Sequence, residues 1–189
     1  MLLDLIRQIN DFCTRNNPIK SYTIIDFETT GLNPKSNRII EIGALKIINN
    51  SIVREYTTLV NPQKNITKKI TQLTGITNEM LFDAPLEQDV FPEFVRFIQG
   101  LPICAYNVNF DINFLSETLK RINIGMRNVE CFDALKIARN NFAGLENYKL
   151  ETVIKSIDPS FEQSHRALSD CYAVHKILKN FNLTRTILE

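Results

Sequence analysis

Two apolar rhythms alternate along the chain. Leu2, Leu5, Ile6, Ile9 and Cys13 recur at helical spacing, which predicts an amphipathic helix over 2–15 that Asn16-Asn17-Pro18 stops. From Tyr22 the pattern changes to short runs rich in β-branched residues. Runs at 22–27, 38–48 and 52–60 predict three strands, separated by the turn residues Asn33-Pro34-Lys35-Ser36 and Asn49-Asn50. Strands joined by such short turns form an antiparallel meander. Asn61-Pro62 breaks the pattern, and 63–88 reads as short helices and loops, with a helix start at Thr77. A helix over 90–98 closes at Gly100, and a fourth buried strand covers 102–106. A helix over 111–122 buries Ile112, Leu115 and Leu119, and a short strand follows at 129–132. Three helices over 134–140, 149–157 and 167–181 complete the chain. Strands first, then strands alternating with helices, predict an α/β sandwich on a mixed sheet. No repeat, low-complexity run or linker divides it, so residues 1–20 are taken as a helix with its connector and 21–189 as one domain.

One run departs from the apolar pattern. Asp26 and Glu28 sit within Tyr22-Thr-Ile-Ile-Asp-Phe-Glu-Thr-Thr-Gly31. Side chains alternate across a strand, so both acids point to one face. Each carboxylate raises the other's pKa, and burial raises both. A cation beside them relieves that cost, so the pair reads as half of a hard-metal site.

Composition narrows the setting. The chain has 189 residues, 44% of them hydrophobic, enough for one domain with its own core. A net charge of +1 gives no global basic field, although local patches still bind nucleic acid. Cys13, Cys104, Cys131 and Cys171 lie far apart and form no C-x-x-C pair. They read as reduced thiols of a cytoplasmic protein, not as zinc ligands. The first residues carry Asp4 and Arg7 and are no signal peptide, and no stretch is long enough to span a bilayer.

The other half of the site must come from later in the chain. Asp111, in Asn107-Val-Asn-Phe-Asp, stands where the fourth strand passes into a helix. By itself it reads as a helix cap, and Asp133 reads the same way. Asp170 falls in the first turns of the last helix, where an acid is favoured by the helix dipole. His165 lies just before that helix. His175, later on it, has no acidic partner at telling spacing and reads as a packing or surface residue.

Taken together, Asp26-x-Glu28, Asn107-x-x-Phe-Asp111 and His165-x-x-x-x-Asp170 resemble the three exonuclease motifs of the DEDD superfamily, histidine subtype. The likeness is nearest to the proofreading epsilon subunit of bacterial DNA polymerase III and its stand-alone relatives. Arg38-Ile-Ile-Glu-Ile-Gly-Ala, Leu73-Thr-Gly-Ile-Thr and Phe132-Asp-Ala-Leu-Lys-Ile-Ala-Arg match the same family text, so the resemblance covers about 22–180. One departure is Tyr106, where many relatives carry His before the Asn of the second motif.

The resemblance implies a ribonuclease-H-like fold with a five-stranded mixed sheet flanked by helices. It makes 21–189 an exonuclease domain. It assigns Asp26, Glu28, Asp111 and Asp170 as ligands of two divalent cations, Mg²⁺ or Mn²⁺, as hard oxygen donors favour. It makes His165 the general base, with the five residues forming the catalytic set. Thr29 would sit beside the terminal nucleotide and Asn107 would order the second motif. Lys35, Arg38, Lys68, Lys69 and Arg166 are candidate phosphate contacts. The implied function is release of 5′-mononucleotides from DNA 3′ ends in proofreading or repair, with single strands preferred and a polymerase as a candidate partner. Thr29 after the Glu favours this branch, since oligoribonuclease-like relatives usually carry Met there. Two alternatives stay open: a 3′→5′ exoribonuclease resembling ribonuclease T, and a non-catalytic nucleic-acid-binding or polymerase-associated subunit.

Overall fold

A computed structural model describes residues 6–8, 19–126, 129–162 and 164–188. Its strands are β1 (Ile6–Gln8), β2 (Tyr22–Thr29), β3 (Ile39–Ile48), β4 (Ser51–Leu59), β5 (Ile103–Ala105) and β6 (Val129–Asp133). Its helices are α1 (Lys68–Thr74), α2 (Asn78–Phe82), α3 (Glu87–Ile98), α4 (Val108–Arg121), α5 (Ala134–Asn141), α6 (Leu150–Ile157) and α7 (Ala167–Leu188). The sheet order is β1-β6-β5-β2-β3-β4. β2, β3 and β4 form the expected antiparallel meander, whereas β5 and β6 run parallel to β2. Asn49 and Asn50 make the β3–β4 turn with φ of 50° and 64°. That left-handed pair matches the twist of a two-residue hairpin.

The five expected strands are present, and β1 adds a sixth. Ile6–Gln8 pair in parallel with Val129–Cys131, which corrects the helix expected over 2–15 at these residues. The open edge of β6 offers unpaired backbone groups, and satisfying them outweighs the helical spacing of the apolar residues. The other residues of that expected helix lie outside the described residues.

Strand alternation sorts the core into two layers. Ile25, Phe27, Ile42, Ile103 and Ala105 pack against α3 and α4. Tyr22, Ile24, Leu45, Ile47, Cys104 and Phe132 pack on the other face against α5, α6 and α7. Asp26 and Glu28 continue the parity of Ile24, so they belong to the α7 face. On α7 the expected core positions Ala167, Cys171, Val174 and Leu178 are all buried. Cys104, Cys131 and Cys171 are buried free thiols. No helix among the described residues is long and apolar enough to cross a membrane.

Candidate active site

β2 carries Asp26 and Glu28 toward the first turns of α7. Ligand oxygens of Asp26, Glu28 and Asp170 all lie within 4.8 Å of one another. Asp26 and Glu28 keep partial contact with solvent, while Asp111 and Asp170 are 2% and 7% exposed. Three carboxylates so close repel one another, and burial and that repulsion together raise the pKa values of Asp26 and Glu28. Asp26 is raised well above the usual range by burial first, then by Asp111, Asp170, Glu28 and Glu41. Glu28 is raised to about 8 by burial, Asp170, Glu41 and Asp111, with Arg166 acting in the opposite sense.

Asp111 is not the helix cap that its position suggested. α4 begins three residues earlier, and Asn107 takes the cap position with φ of 69°. Asp111 therefore lies in the first helical turn, with its side chain buried near the end of β2. Burial raises its pKa, and the backbone amides of Asp111 itself and of Phe27 lower it. Asp133 does cap a helix: its Oδ1 accepts from the Leu135 amide at 2.9 Å. The same oxygen accepts from the Asn107 amide at 3.1 Å. The Asn107 backbone is held by this bond in a left-handed conformation that Asn tolerates better than most residues.

The remaining site residues are placed as follows. Thr29 is buried, and its hydroxyl donates to the Gly31 carbonyl at 2.8 Å, closing the turn after β2. Thr30 donates to Asn37 Oδ1 at 3.0 Å and accepts from the Arg38 amide at 3.1 Å, so this loop is cross-linked at its base. His165 is half-buried on the segment leading into α7, with φ of 48°. It lies close enough to α6 to act electrostatically on Glu151, and it is not one of the three residues whose ligand atoms converge. Tyr106, in place of the commoner His, donates its hydroxyl to the Tyr148 carbonyl at 2.7 Å and so ties the segment before α6 to the sheet. A cavity of about 410 Å³ opens between the loop after β2 and α4, lined by Asn33, Pro34, Lys35, Asn113, Ser116 and Glu117.

Arg166 is not free to serve chiefly as a phosphate contact. Its Nε donates to Glu41 at 2.9 and 3.1 Å and its Nη2 at 2.6 Å. Sequence reasoning quoted Glu41 without assigning it a task. The signal was present: a carboxylate inside the apolar run Ile39–Ala44 needs a partner.

The donor set fits divalent cations of the hard class. Asp26, Glu28 and Asp170, with Asp111 beside them, offer oxygen, and the Cys171 thiol on α7 is held protonated by burial and by Asp26, Asp111 and Asp170.

Comparisons with known proteins identify the family of the chain. The Exonuclease (RNase_T) family model matches residues 23–178. DNA polymerase III PolC-type of Caldanaerobacter subterraneus subsp. tengcongensis is 40% identical over 156 residues. The match covers 82% of this chain and 11% of that polypeptide. The same protein of Thermotoga maritima is 36% identical over 177 residues, covering 94% of this chain and 13% of that one. The chain thus spans about an eighth or less of the length of these curated relatives. Among solved structures, exonuclease X in complex with 5′ overhanging duplex DNA superposes with a TM-score of 0.66 at 28% identity. That match covers 86% of this chain and 92% of the other. E. coli exonuclease I in complex with a dT13 oligonucleotide gives a TM-score of 0.77 over 89% of this chain and 42% of the other. At 18% identity it speaks for the fold alone.

Proposed function

The chain belongs to the exonuclease family, and from that premise we propose that it is a metal-dependent 3′→5′ exonuclease acting on DNA. The observation that carries the reading is the convergence of Asp26, Glu28 and Asp170 from two distant segments, with buried Asp111 acting on the same carboxylates. Such mutual repulsion is tolerated where cations are to be bound.

In this reading Asp26, Glu28, Asp111 and Asp170 hold two divalent ions, Mg²⁺ or Mn²⁺. When bound, these ions supply the Lewis acidity for attack by water on the terminal phosphodiester and for departure of the 3′ oxygen. His165 takes the proton of the attacking water at an imidazole nitrogen, a task suited to a group that ordinarily titrates near neutral pH. The new P–O bond forms to the water oxygen, the P–O3′ bond breaks, and a 5′-mononucleotide leaves. Thr29 and Asn107 flank the terminal nucleotide. Lys35 and the cavity beside it offer a path for the strand behind that nucleotide.

DNA is favoured over RNA because the PolC-type relatives are DNA polymerases and the exonuclease X structure holds DNA. Residues 21–189 would form the exonuclease domain, with a role in proofreading or repair, a cytoplasmic location and a polymerase as a candidate partner. The test uses matched labelled DNA and RNA strands with free or blocked 3′ ends, in Mg²⁺, Mn²⁺ or chelator. Stepwise shortening of unblocked DNA, dependent on metal, is expected. Equal or faster loss of RNA would turn the reading to the exoribonuclease, and no cleavage under any condition would turn it to a binding subunit.

A further inference from the structure

We propose that Glu41 and Gly43 of β3, together with Arg166, are positioning residues that set the start of α7, and with it Asp170 and His165, against the acids of β2. The proposal deepens the exonuclease reading and rests on it for the role of those acids.

The register of the sheet places Glu41 opposite Glu28 and Gly43 opposite Asp26. All four positions therefore share the α7 face. At Gly43 the backbone of α7 comes down onto the strand. A Cβ there would lie 2.3 Å from the Ala167 carbonyl carbon and from the Leu168 nitrogen, closer than any side chain tolerates. Absence of a side chain opposite Asp26 is what lets the helix approach.

At Glu41 the same helix start is gripped. The carboxylate accepts the fork of Arg166 and also the Ala167 amide at 3.0 Å. Side-chain exposure is 3% for Glu41 and 42% for Arg166. The Ala167 amide is among those a helix leaves without an internal partner, so Glu41 does the work of a cap from another strand. His165 immediately precedes this clamp, and Asp170 follows within a turn, its amide bonded to the Arg166 carbonyl at 3.0 Å. Arg166 also lowers the pKa of Glu28, so its charge reaches the acid centre while its fork is held by Glu41.

A second bidentate pair supplies an internal control. Arg121 donates to Glu87 at 3.1 and 2.7 Å and so joins the end of α4 to the start of α3, not to α7. The experiment compares the wild type with Glu41→Gln, Glu41→Ala, Arg166→Ala and Arg121→Ala. Four quantities are measured: kcat and KM on a 3′-hydroxyl DNA strand, the Mn²⁺ dissociation constant without DNA, and Tm. Arg166→Ala and Glu41→Gln are expected to lower kcat by about 10²-fold with KM little changed. Both are expected to weaken Mn²⁺ binding by about tenfold or more, as displaced supports of metal ligands do. Glu41→Gln, which keeps an accepting oxygen, should recover part of what Glu41→Ala loses. Arg121→Ala should lower Tm and leave kcat and Mn²⁺ affinity unchanged. If the Glu41 and Arg166 variants lose Tm while keeping kcat and Mn²⁺ affinity, the pair is only structural and the proposal is wrong. Should Glu41→Ala fail to fold, the half-exposed Arg166 carries the decision. If the wild type cleaves no 3′ end, the exonuclease reading falls, and the Mn²⁺ titrations still decide the positioning role.

Discussion

Glu28 and Glu41 face each other across two neighbouring strands, and their surroundings are opposite. Glu41 is buried and fully engaged by a guanidinium and a backbone amide. Glu28 stands among other carboxylates, and its pKa is driven up to about 8. A buried charge with its partners in place belongs to the architecture. One whose neighbours share its sign is waiting for something the chain itself does not provide. In the proposed reading, the same strand pair holds one carboxylate that builds the site and one that works in it.

The largest expected effect breaks the crowded side. Asp26→Asn should abolish turnover, by about 10³-fold or more, since a ligand to several kcal/mol of charge stabilisation is gone. The same change should raise the metal-free Tm at mildly alkaline pH, because it removes a member of the repelling group. A lowered Tm there would show that Asp26 is as well partnered as Glu41. Next, His165→Ala is expected to cost about 10²–10⁴-fold in kcat with the fold intact. A flattened lower arm of the pH–rate profile would identify the lost base, and an unchanged profile would remove it from that role. Gly43→Ala attacks the satisfied side through space and leaves its charges alone. Expected are a loss of stability of about 1–3 kcal/mol from overpacking and weaker Mn²⁺ binding, read by melting and by titration.

The smallest effect is the pH dependence of the metal-free fold. Glu28 binds a proton more tightly in the folded chain than in the unfolded one. Its contribution is therefore complete below the unfolded value of 4.5 and is lost as pH rises through about 8. Metal-free Tm should fall across that window, more shallowly in Glu28→Gln, and saturating Mn²⁺ should flatten the slope. A Tm that climbs over the same range would contradict the raised pKa.

Much of this was legible in the sequence because the two periodicities are strong. The meander and the core face of α7 follow from apolar spacing, and the Asn49-Asn50 turn from its two asparagines. Asp26 and Glu28 were visible as acids where only apolar residues are expected. Asp111 was harder, since an acid near a helix start has an ordinary structural explanation, and only the position of Asn107 as the cap removes it. β1 was misread because helical spacing of apolar residues says nothing of a free sheet edge elsewhere. Glu41 and Arg166 are 125 positions apart, and no local pattern announces a pair at that separation.

The left-handed backbone of His165 has an evolutionary side. A side chain in that conformation costs about 1–2 kcal/mol relative to the ordinary helical region, a penalty that glycine avoids. Selection for heat resistance alone would therefore tend to replace this histidine, and selection for turnover would retain it. In the proposed exonuclease reading, position 165 is where the two pressures diverge: a library screened only for melting temperature should lose the imidazole, and one screened for nucleotide release should keep it at some expense in robustness.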